Sequence, residues 1–246
     1  MTLIDTADAY CLDDHDTGHN ERLIAKAVQS YPGDISQVIV ATKGGCIRPD
    51  GAWKRNGRPD HLIAACEASL KALRVSAIDL YQLHAPDVDV PLADSVGALE
   101  KLRRAGKIRW IGLSNVNKDE IKTAQSISPI TTVQNRYNPF FWEQSLQGAL
   151  AYCTEQGIGY LAYSPVGGGR LNKKLYDHET AKTVAKKHGA SPHAVILAWL
   201  MTKSSVIIPI PGARTPEHAQ DSAKAAALTL TPEDLAQLEQ TEFSKD

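Results

Sequence analysis

Four side chains that could together protonate a carbonyl oxygen follow short apolar runs of the sequence. Asp5 ends the run Thr2–Asp5, and Tyr10 lies five residues further on. Lys43 follows the run VIVAT, and His84 follows LYQL. Parallel strands that close into a barrel bring their carboxyl ends to one mouth. If these runs are such strands, we expect the four side chains to meet there.

These four groups differ in the chemistry that each could supply. A tyrosine is a slow acid at neutral pH, because the free side chain ionises only near pH ~10. A lysine ammonium ~4 Å away favours the phenolate by up to ~4 kcal/mol at an effective dielectric constant of ~20. A carboxylate would keep that lysine charged and in place, and a histidine could orient a carbonyl oxygen. The set indicates proton transfer to a carbonyl whose carbon receives a hydride.

Short apolar runs alternate with amphipathic stretches along the whole chain. The predicted strands are Thr2–Asp5, Val38–Thr42, Ile78–Leu83, Ile108–Leu113, Thr131–Gln134, Gly159–Tyr163 and Val206–Pro209. Helical patterns cover residues 20–30, 61–74, 92–104, 117–126, 144–156, 178–188, 192–202 and 216–227. This alternation predicts a parallel sheet.

Two helix starts carry recognisable capping residues. Asp60 is a plausible N-cap for the helix at 61–74. In the segment TPED, Thr231 is predicted as N-cap, Pro232 as the first helical residue and Asp234 as the partner in a capping box. We therefore expect a further helix near the C-terminus.

The distribution of polar residues separates a closed barrel from an open sheet. No G-x-G-x-x-G motif follows the first strand, which weakens a Rossmann interpretation. Polar residues follow nearly every predicted strand, whereas an open sheet concentrates its site at one switch point. The pattern favours an α/β fold of the (β/α)8 TIM-barrel class. The barrel is predicted to be incomplete, because only about seven βα units are present. We expect residues 1–246 to form a single domain.

Composition limits the classes of partner. The 246 residues are 43% hydrophobic, and 27 Lys and Arg oppose 28 Asp and Glu, for a formal net charge of −1. This balance predicts neither nucleic acid nor membrane partners. The N-terminus lacks the pattern of a signal peptide, so we expect a cytoplasmic protein. The cysteines show no C-x-x-C spacing, and the Asp- and His-rich run Asp13–Asn20 has no fixed ligand spacing, so no metal is expected.

Seven stretches of the sequence resemble the aldo-keto reductase family. In order they are IDTADAY, VIVATKGG, IDLYQLHAPD, GKIRWIGLSNV, TVQNRYNP, YLAYSPVGGG and VIIPIPGARTPEH. They cover nearly the whole chain and are far more specific together than a lone D-x-x-x-x-Y. The resemblance implies a (β/α)8 barrel that binds NADPH at the C-terminal mouth of its strands. It also implies a truncated member that lacks the family's N-terminal hairpin and first βα unit.

The resemblance implies NADPH-dependent reduction of aldehydes, ketones or keto esters. Tyr10 would be the general acid, Lys43 and Asp5 its tuning pair, and His84 the residue that orients the substrate. Residues implied at the cofactor are Ser114, Asn115 and Gln134 at the nicotinamide carboxamide, Tyr163 stacked on its ring, Ser164, Val166, Gly167, Gly168 and Gly169 near the pyrophosphate, and Gly212 and Arg214 near the 2′-phosphate.

Some positions leave alternatives open. The family carries Arg and then Glu-Asn where this chain has His218, Asp221 and Ser222, so NADH is also possible. Trp53 could line the substrate pocket or fix its loop to the barrel, and Arg170 is expected in a solvent-exposed loop. The alternative functions are a non-catalytic nicotinamide-binding regulatory or sensor subunit, and a metal-assisted hydrolase. We expect a small carbonyl compound as partner and a monomer or homodimer.

Overall fold

The computed structural model describes residues 2–141 and 148–244. Contacts within the chain define two compact units, Met1–Val133 and Gln134–Asp246. The single domain expected from the sequence stays a prediction.

The first unit consists of parallel strands joined by helices. Its strands are β1 (Leu3–Asp5), β2 (Ile39–Gly44), β3 (Cys46–Ile47), β4 (Lys54–Arg55), β5 (Ile78–Leu83) and β6 (Ile108–Ser114). Its helices are α1 (His19–Ser30), α2 (Pro59–Leu73), α3 (Leu92–Arg104) and α4 (Lys118–Gln125). Strands β1, β2, β5 and β6 pair in that order, and each pair is parallel. Their carboxyl ends therefore lie at one edge of the sheet, as the sequence predicts.

The strand register places the predicted chemical groups on one face. Asp5 is in register with Ala41, and Lys43 is in register with Gln82. Because side chains alternate between the two faces of a strand, residues two apart on β2 share a face. Asp5 and Lys43 therefore project from the same face of the sheet, one level apart.

The side chain of Gln82 packs so closely against β6 that only a glycine fits at position 112. A Cβ at Gly112 would lie 2.4 Å from Thr132 Oγ1 and 2.7 Å from Gln82 Cγ. Both distances are shorter than van der Waals contact allows, so any larger residue would displace the buried Gln82. The glycine thus keeps Gln82 at its level beside Lys43.

A short antiparallel hairpin, β3 paired with β4, follows β2. Its connecting segment, residues 48–53, carries Trp53. The sequence does not predict this hairpin, because strands of two residues are too short to show a period of two.

The second unit begins in strand β7 (Thr132–Arg136), whose first two residues belong to the first unit. It continues with β8 (Gly159–Tyr163) and β9 (Ile207–Ile210), which pair in parallel. Its helices are α5 (Ala149–Gln156), α6 (Gly169–Asp177), α7 (Glu179–His188), α8 (Pro192–Met201), α9 (Pro216–Lys224) and α10 (Pro232–Glu239). Within residues 2–141 and 148–244, none of the helices is long and apolar enough to span a membrane.

The predicted helix boundaries agree with the structure except at particular starts. The capping box of Thr231 and Asp234 is confirmed. Asp60 as N-cap is wrong, because Arg58 is at the N-cap position of α2, without a side-chain capping hydrogen bond, and Pro59 takes the first helical position, which suits its fixed φ. Of the predicted helix 144–156, residues 144–147 lie outside the described residues. Helix α6 is not predicted, since the glycines before it indicate a loop; Arg170 lies in this helix and is exposed.

Candidate active site

The buried ammonium of Lys43 joins two of the predicted site residues. The Lys43 side chain is fully buried at the end of β2. Its Nζ donates to Asp5 Oδ2 at 2.5 Å, to the main-chain oxygen of Thr6 at 2.8 Å and to Tyr10 Oη at 3.1 Å. An ammonium has three donors, and here all three are used. Lys43 is therefore fixed with one N–H directed at the tyrosine oxygen.

Gln82 holds the other oxygen of Asp5. Its Nε2 donates to Asp5 Oδ1 at 3.1 Å, and the Gln82 side chain is fully buried on β5. The carboxylate is thereby oriented by hydrogen bonds on both oxygens. Sequence reasoning does not find Gln82, because nothing in the sequence shows that it lies level with Lys43 in the sheet.

His84 is an uncharged group at the same edge of the sheet. Its main-chain N–H donates to the oxygen of Gly44, which fixes the backbone at the end of β5. Burial and the nearby Lys43 charge lower the pKa of His84 to about 3. At neutral pH the imidazole therefore carries a single N–H, which can donate to a carbonyl oxygen without protonating it.

Tyr10, His84 and Trp53 form an aromatic group at the opening of the site. The ring of Tyr10 lies edge-on to His84 at 5.7 Å and to Trp53 at 6.4 Å, and Trp53 lies 5.7 Å from His84. Tyr10 is 37% exposed and Trp53 is 54% exposed. The Tyr10 side chain is therefore partly open to solvent, while Lys43 binds its hydroxyl from inside the protein.

Asp8 is a buried carboxyl group that sequence reasoning does not single out. Its main-chain N–H donates to the oxygen of Lys43, and its main-chain oxygen accepts from Gly18. Burial and the charge of Glu21 raise the pKa of Asp8 to about 8. Asp8 is thus a neutral acid at neutral pH in the segment that carries Tyr10.

Asp8 makes the stability of the fold depend on pH. Its pKa is about 8 in the fold against 3.8 for the free side chain, so between these values only the folded state keeps the proton. Stability is then greatest below the unfolded pKa and falls as pH rises through this window, by about 1.4 kcal/mol per pH unit. We expect urea unfolding of Asp8→Asn to lack this slope between roughly pH 5 and 7.5. Asp14→Asn, a change at an exposed carboxylate of the same segment, should retain it; equal slopes in both variants would contradict the assignment.

Ser114 and Asn115 continue the site at the end of β6. Asn115 has a left-handed backbone with φ of 59°, and its Nδ2 donates to the main-chain oxygen of His84 and to Ser114 Oγ, both at 3.0 Å. The Ser114 side chain is buried. The structure therefore brings these two predicted cofactor residues next to the catalytic candidate His84.

In the second unit, the turn after β8 is shaped for an anionic group. Ser164, Gly167, Gly168 and Gly169 have φ of 50°, 94°, 63° and 47°. A turn of this kind can direct main-chain N–H groups into an anion-binding concavity, and here the turn leads into the N-terminus of α6. In the described part of the chain, apart from the neighbouring residues and the backbone of α6, no atom lies within 4 Å of a Cβ built at Gly169, so the turn is open there. The residues present fit a phosphate group.

Other predicted cofactor residues of the second unit lie on separate elements. Gln134 is buried on β7, and Tyr163 is half-buried at the end of β8, with the Arg136 guanidinium 5.7 Å from its ring. Gly212 and Arg214 are exposed in the loop before α9. The rest lie on α9: His218, Asp221 and Ser222.

Two contacts in the second unit qualify these assignments. Asp221 accepts a hydrogen bond from Ser191 Oγ at 2.5 Å, so that carboxylate already serves the packing of α8 and α9. Asn138, which sequence reasoning misses, donates from Nδ2 to the main-chain oxygen of Ser164 at 2.9 Å and fixes the start of the turn. Its only signal in the sequence is its position four residues after Gln134.

Comparison with known proteins identifies the family of this chain. The family model described as "Aldo/keto reductase family" matches residues 1–242. A protein of Glycine max described as "Probable aldo-keto reductase 1" is 32% identical over 97% of this chain and 74% of its own length. An uncharacterized oxidoreductase of Schizosaccharomyces pombe is 33% identical over 100% of this chain and 76% of its own length.

Solved structures show the same fold. A thermostable aldo-keto reductase in complex with the inhibitor epalrestat matches with a TM-score of 0.78 at 30% identity, over 96% of this chain and 80% of that one. An aldo/keto reductase from Klebsiella pneumoniae in complex with NADP and acetate matches with a TM-score of 0.81 at 26% identity, over 98% and 80%. The fold class is confirmed as an incomplete (β/α)8 barrel, with seven strands of the main sheet in the described residues. The chain belongs to the aldo/keto reductase family of oxidoreductases.

Proposed function

We propose that this protein reduces the carbonyl group of aldehydes or ketones, keto esters included, to alcohols with NADPH. The observation that carries the proposal is the Lys43 ammonium, which bonds Asp5 on one side and the hydroxyl of Tyr10 on the other. This arrangement suits a tyrosine that gives up a proton and leaves a phenolate beside a fixed cation.

Each residue of the group has a distinct role in this proposal. The hydroxyl of Tyr10 donates its proton to the carbonyl oxygen of the substrate. Lys43 then stabilises the phenolate, and Asp5 keeps the lysine charged and in place. The neutral imidazole of His84 donates a hydrogen bond that orients the same carbonyl oxygen. The exposed ring of Trp53 forms one wall of the substrate pocket.

We propose that NADPH, which when bound supplies a hydride to the carbonyl carbon, is held by the predicted cofactor residues. Ser114, Asn115 and Gln134 would bind its carboxamide, and Tyr163 would stack on its ring. The open turn after β8 supports a pyrophosphate site formed by Ser164, Val166, Gly167, Gly168 and Gly169. Gly212 and Arg214 are exposed and therefore accessible to the 2′-phosphate. The residues of α9 that would flank the adenosine are His218, Asp221 and Ser222.

A turnover assay with the purified chain tests the proposed function. Aldehydes, ketones and keto esters are supplied with NADPH or NADH, and the loss of reduced-nicotinamide absorbance is followed. We expect turnover of at least some of these carbonyls with NADPH. Cofactor binding without any turnover, by a chain that is folded by circular dichroism, would support the non-catalytic binding subunit instead.

Arg214 is expected to set the preference for NADPH over NADH. A forked guanidinium binds phosphate through paired charge-assisted hydrogen bonds worth about 1.5–3 kcal/mol, which corresponds to roughly 10- to 150-fold in affinity. Arg214→Ala should weaken NADPH binding by this factor in a fluorescence titration and leave NADH binding unchanged. Arg58→Ala, which removes an exposed guanidinium of the first unit, is the matched control. Equal loss for both cofactors, or equal affinity of the unchanged protein for both, would contradict the assignment.

A further inference from the structure

Arg48 makes four hydrogen bonds with two segments of the proposed substrate site. It precedes the turn Pro49–Gly51 in the hairpin connection. Its Nε and Nη2 donate to the main-chain oxygen of Gly51 at 3.0 and 2.7 Å. Its Nη1 donates to the oxygen of Cys11 at 3.0 Å, and Nη2 also donates to that of Leu12 at 3.2 Å. The guanidinium therefore ties the residues directly after Tyr10 to the turn before Trp53.

The same guanidinium supports the indole of Trp53. The Cζ atom of Arg48 lies 4.4 Å from the ring centroid of Trp53. The neighbours of this ring on the catalytic side are Tyr10 and His84. Over half of Trp53 is exposed, so the Arg48 guanidinium is one of few groups that can restrain its position.

The backbone of the turn brings its carbonyl to Arg48. Asp50 and Gly51 have φ of 50° and 78°, in the left-handed region that a residue other than glycine rarely adopts. Gly51 N–H donates back to the oxygen of Arg48 at 3.0 Å. Arg48 and Gly51 thus bond each other in both directions. This indicates that the guanidinium holds the turn and does not bind an anionic ligand.

We propose that Arg48 is a positioning residue that sets the size selectivity of the substrate pocket by holding Trp53 against Tyr10 and His84. The inference rests on the proposed carbonyl reduction. A lysine cannot replace this arginine, because a point charge with three rotatable donors neither reaches both segments as a fork nor stacks flat on an indole. Loss of Arg48 should free Trp53 and admit bulkier carbonyls, with little change in the proton transfer itself.

The test compares a small aldehyde, butanal, with a bulky one, 2-naphthaldehyde. In Arg48→Lys the ratio of kcat/KM for 2-naphthaldehyde to that for butanal should rise at least about fivefold, mainly through KM. Trp53→Ala should raise the ratio alike, and the double variant should show no further rise, since residues acting as one unit are not additive. Arg58→Lys, at an exposed ion pair, is the control and should leave the ratio unchanged.

Each variant has its own result that would overturn the proposal for Arg48. A ratio within twofold of the unchanged protein in Arg48→Lys, or an equal rise from Arg48→Lys in the Trp53→Ala background, would overturn the proposal. Trp53 is exposed, so Trp53→Ala should fold; an unchanged ratio in that variant is decisive even if Arg48→Lys does not fold.

A readout without turnover separates this inference from the proposed function. Amide hydrogen exchange at residues 11–13 and 51–53 should be faster in Arg48→Lys than in the unchanged protein and in Arg58→Lys. If the unchanged protein reduces none of the aldehydes, ketones and keto esters supplied with NADPH, the proposed function fails, while the exchange rates still decide whether Arg48 holds the two segments together. Unchanged exchange rates in Arg48→Lys would show that it does not.

Discussion

Tyr10→Phe is expected to lower kcat for carbonyl reduction by about a thousandfold, within the range of 10²- to 10⁴-fold that a positioned general acid contributes. The substitution removes only the hydroxyl. The ring keeps its edge-on contacts with His84 and Trp53, so the shape of the pocket is retained. The loss should therefore appear in kcat, while the Kd for NADPH stays within about twofold.

Steady-state kinetics and a cofactor fluorescence titration check this expectation together. Tyr31→Phe removes the hydroxyl of an exposed tyrosine after α1 and is the matched control. If Tyr10→Phe keeps more than about a tenth of the unchanged kcat, Tyr10 is not the proton donor. If its loss of activity accompanies loss of cofactor binding, the hydroxyl serves binding and the assignment of Tyr10 as acid is wrong.

The sequence predicts that Asp5, Tyr10, Lys43 and His84 lie near one another, and the structure places them so. Their catalytic roles stay a prediction. Asp5, Lys43 and His84 each end a short apolar run, and parallel strands place such ends at one edge. Tyr10 follows Asp5 closely in the chain, so it could hardly lie far from that edge. Their proximity therefore follows from the order and direction of the strands, although the contacts themselves join residues far apart in the chain.

The supporting residues are missed because they depend on long-range contacts. Gln82 is found only through the register of β2 and β5, and the position of Arg48 over Trp53 depends on a hairpin with two-residue strands. The burial that keeps Asp8 protonated comes from packing that no local pattern shows. Helix α6 is missed for a different reason, since glycines that suit a phosphate-binding turn also suppress the signal for a helix.

Lys43→Met is expected to destabilise the fold and to abolish turnover. The lysine is fully buried, and its loss leaves the Asp5 carboxylate without its cation, although Gln82 still donates to it. Removing one partner of a buried ion pair costs about 3–5 kcal/mol. Urea unfolding followed by circular dichroism should show a loss of this size in the free energy of unfolding.

A second substitution separates the stability of Lys43 from its chemical role. In Asp5→Asn/Lys43→Met the uncompensated charge is gone, so we expect the double variant to be at least about 1 kcal/mol more stable than Lys43→Met alone. Both variants should lack turnover, because a methionine cannot donate a hydrogen bond to the phenolate of Tyr10. Stability and activity would then respond differently to the same pair of changes.

Lys71→Met, at an exposed position on α2, is the control and should change the free energy of unfolding by no more than about 0.5 kcal/mol. Two results would count against the ion pair. One is a Lys43→Met protein within about 1 kcal/mol of the unchanged stability. The other is a double variant no more stable than Lys43→Met. Turnover recovered in the double variant would show instead that Tyr10 does not need the ammonium, so the proton donor would have to be sought elsewhere in the site.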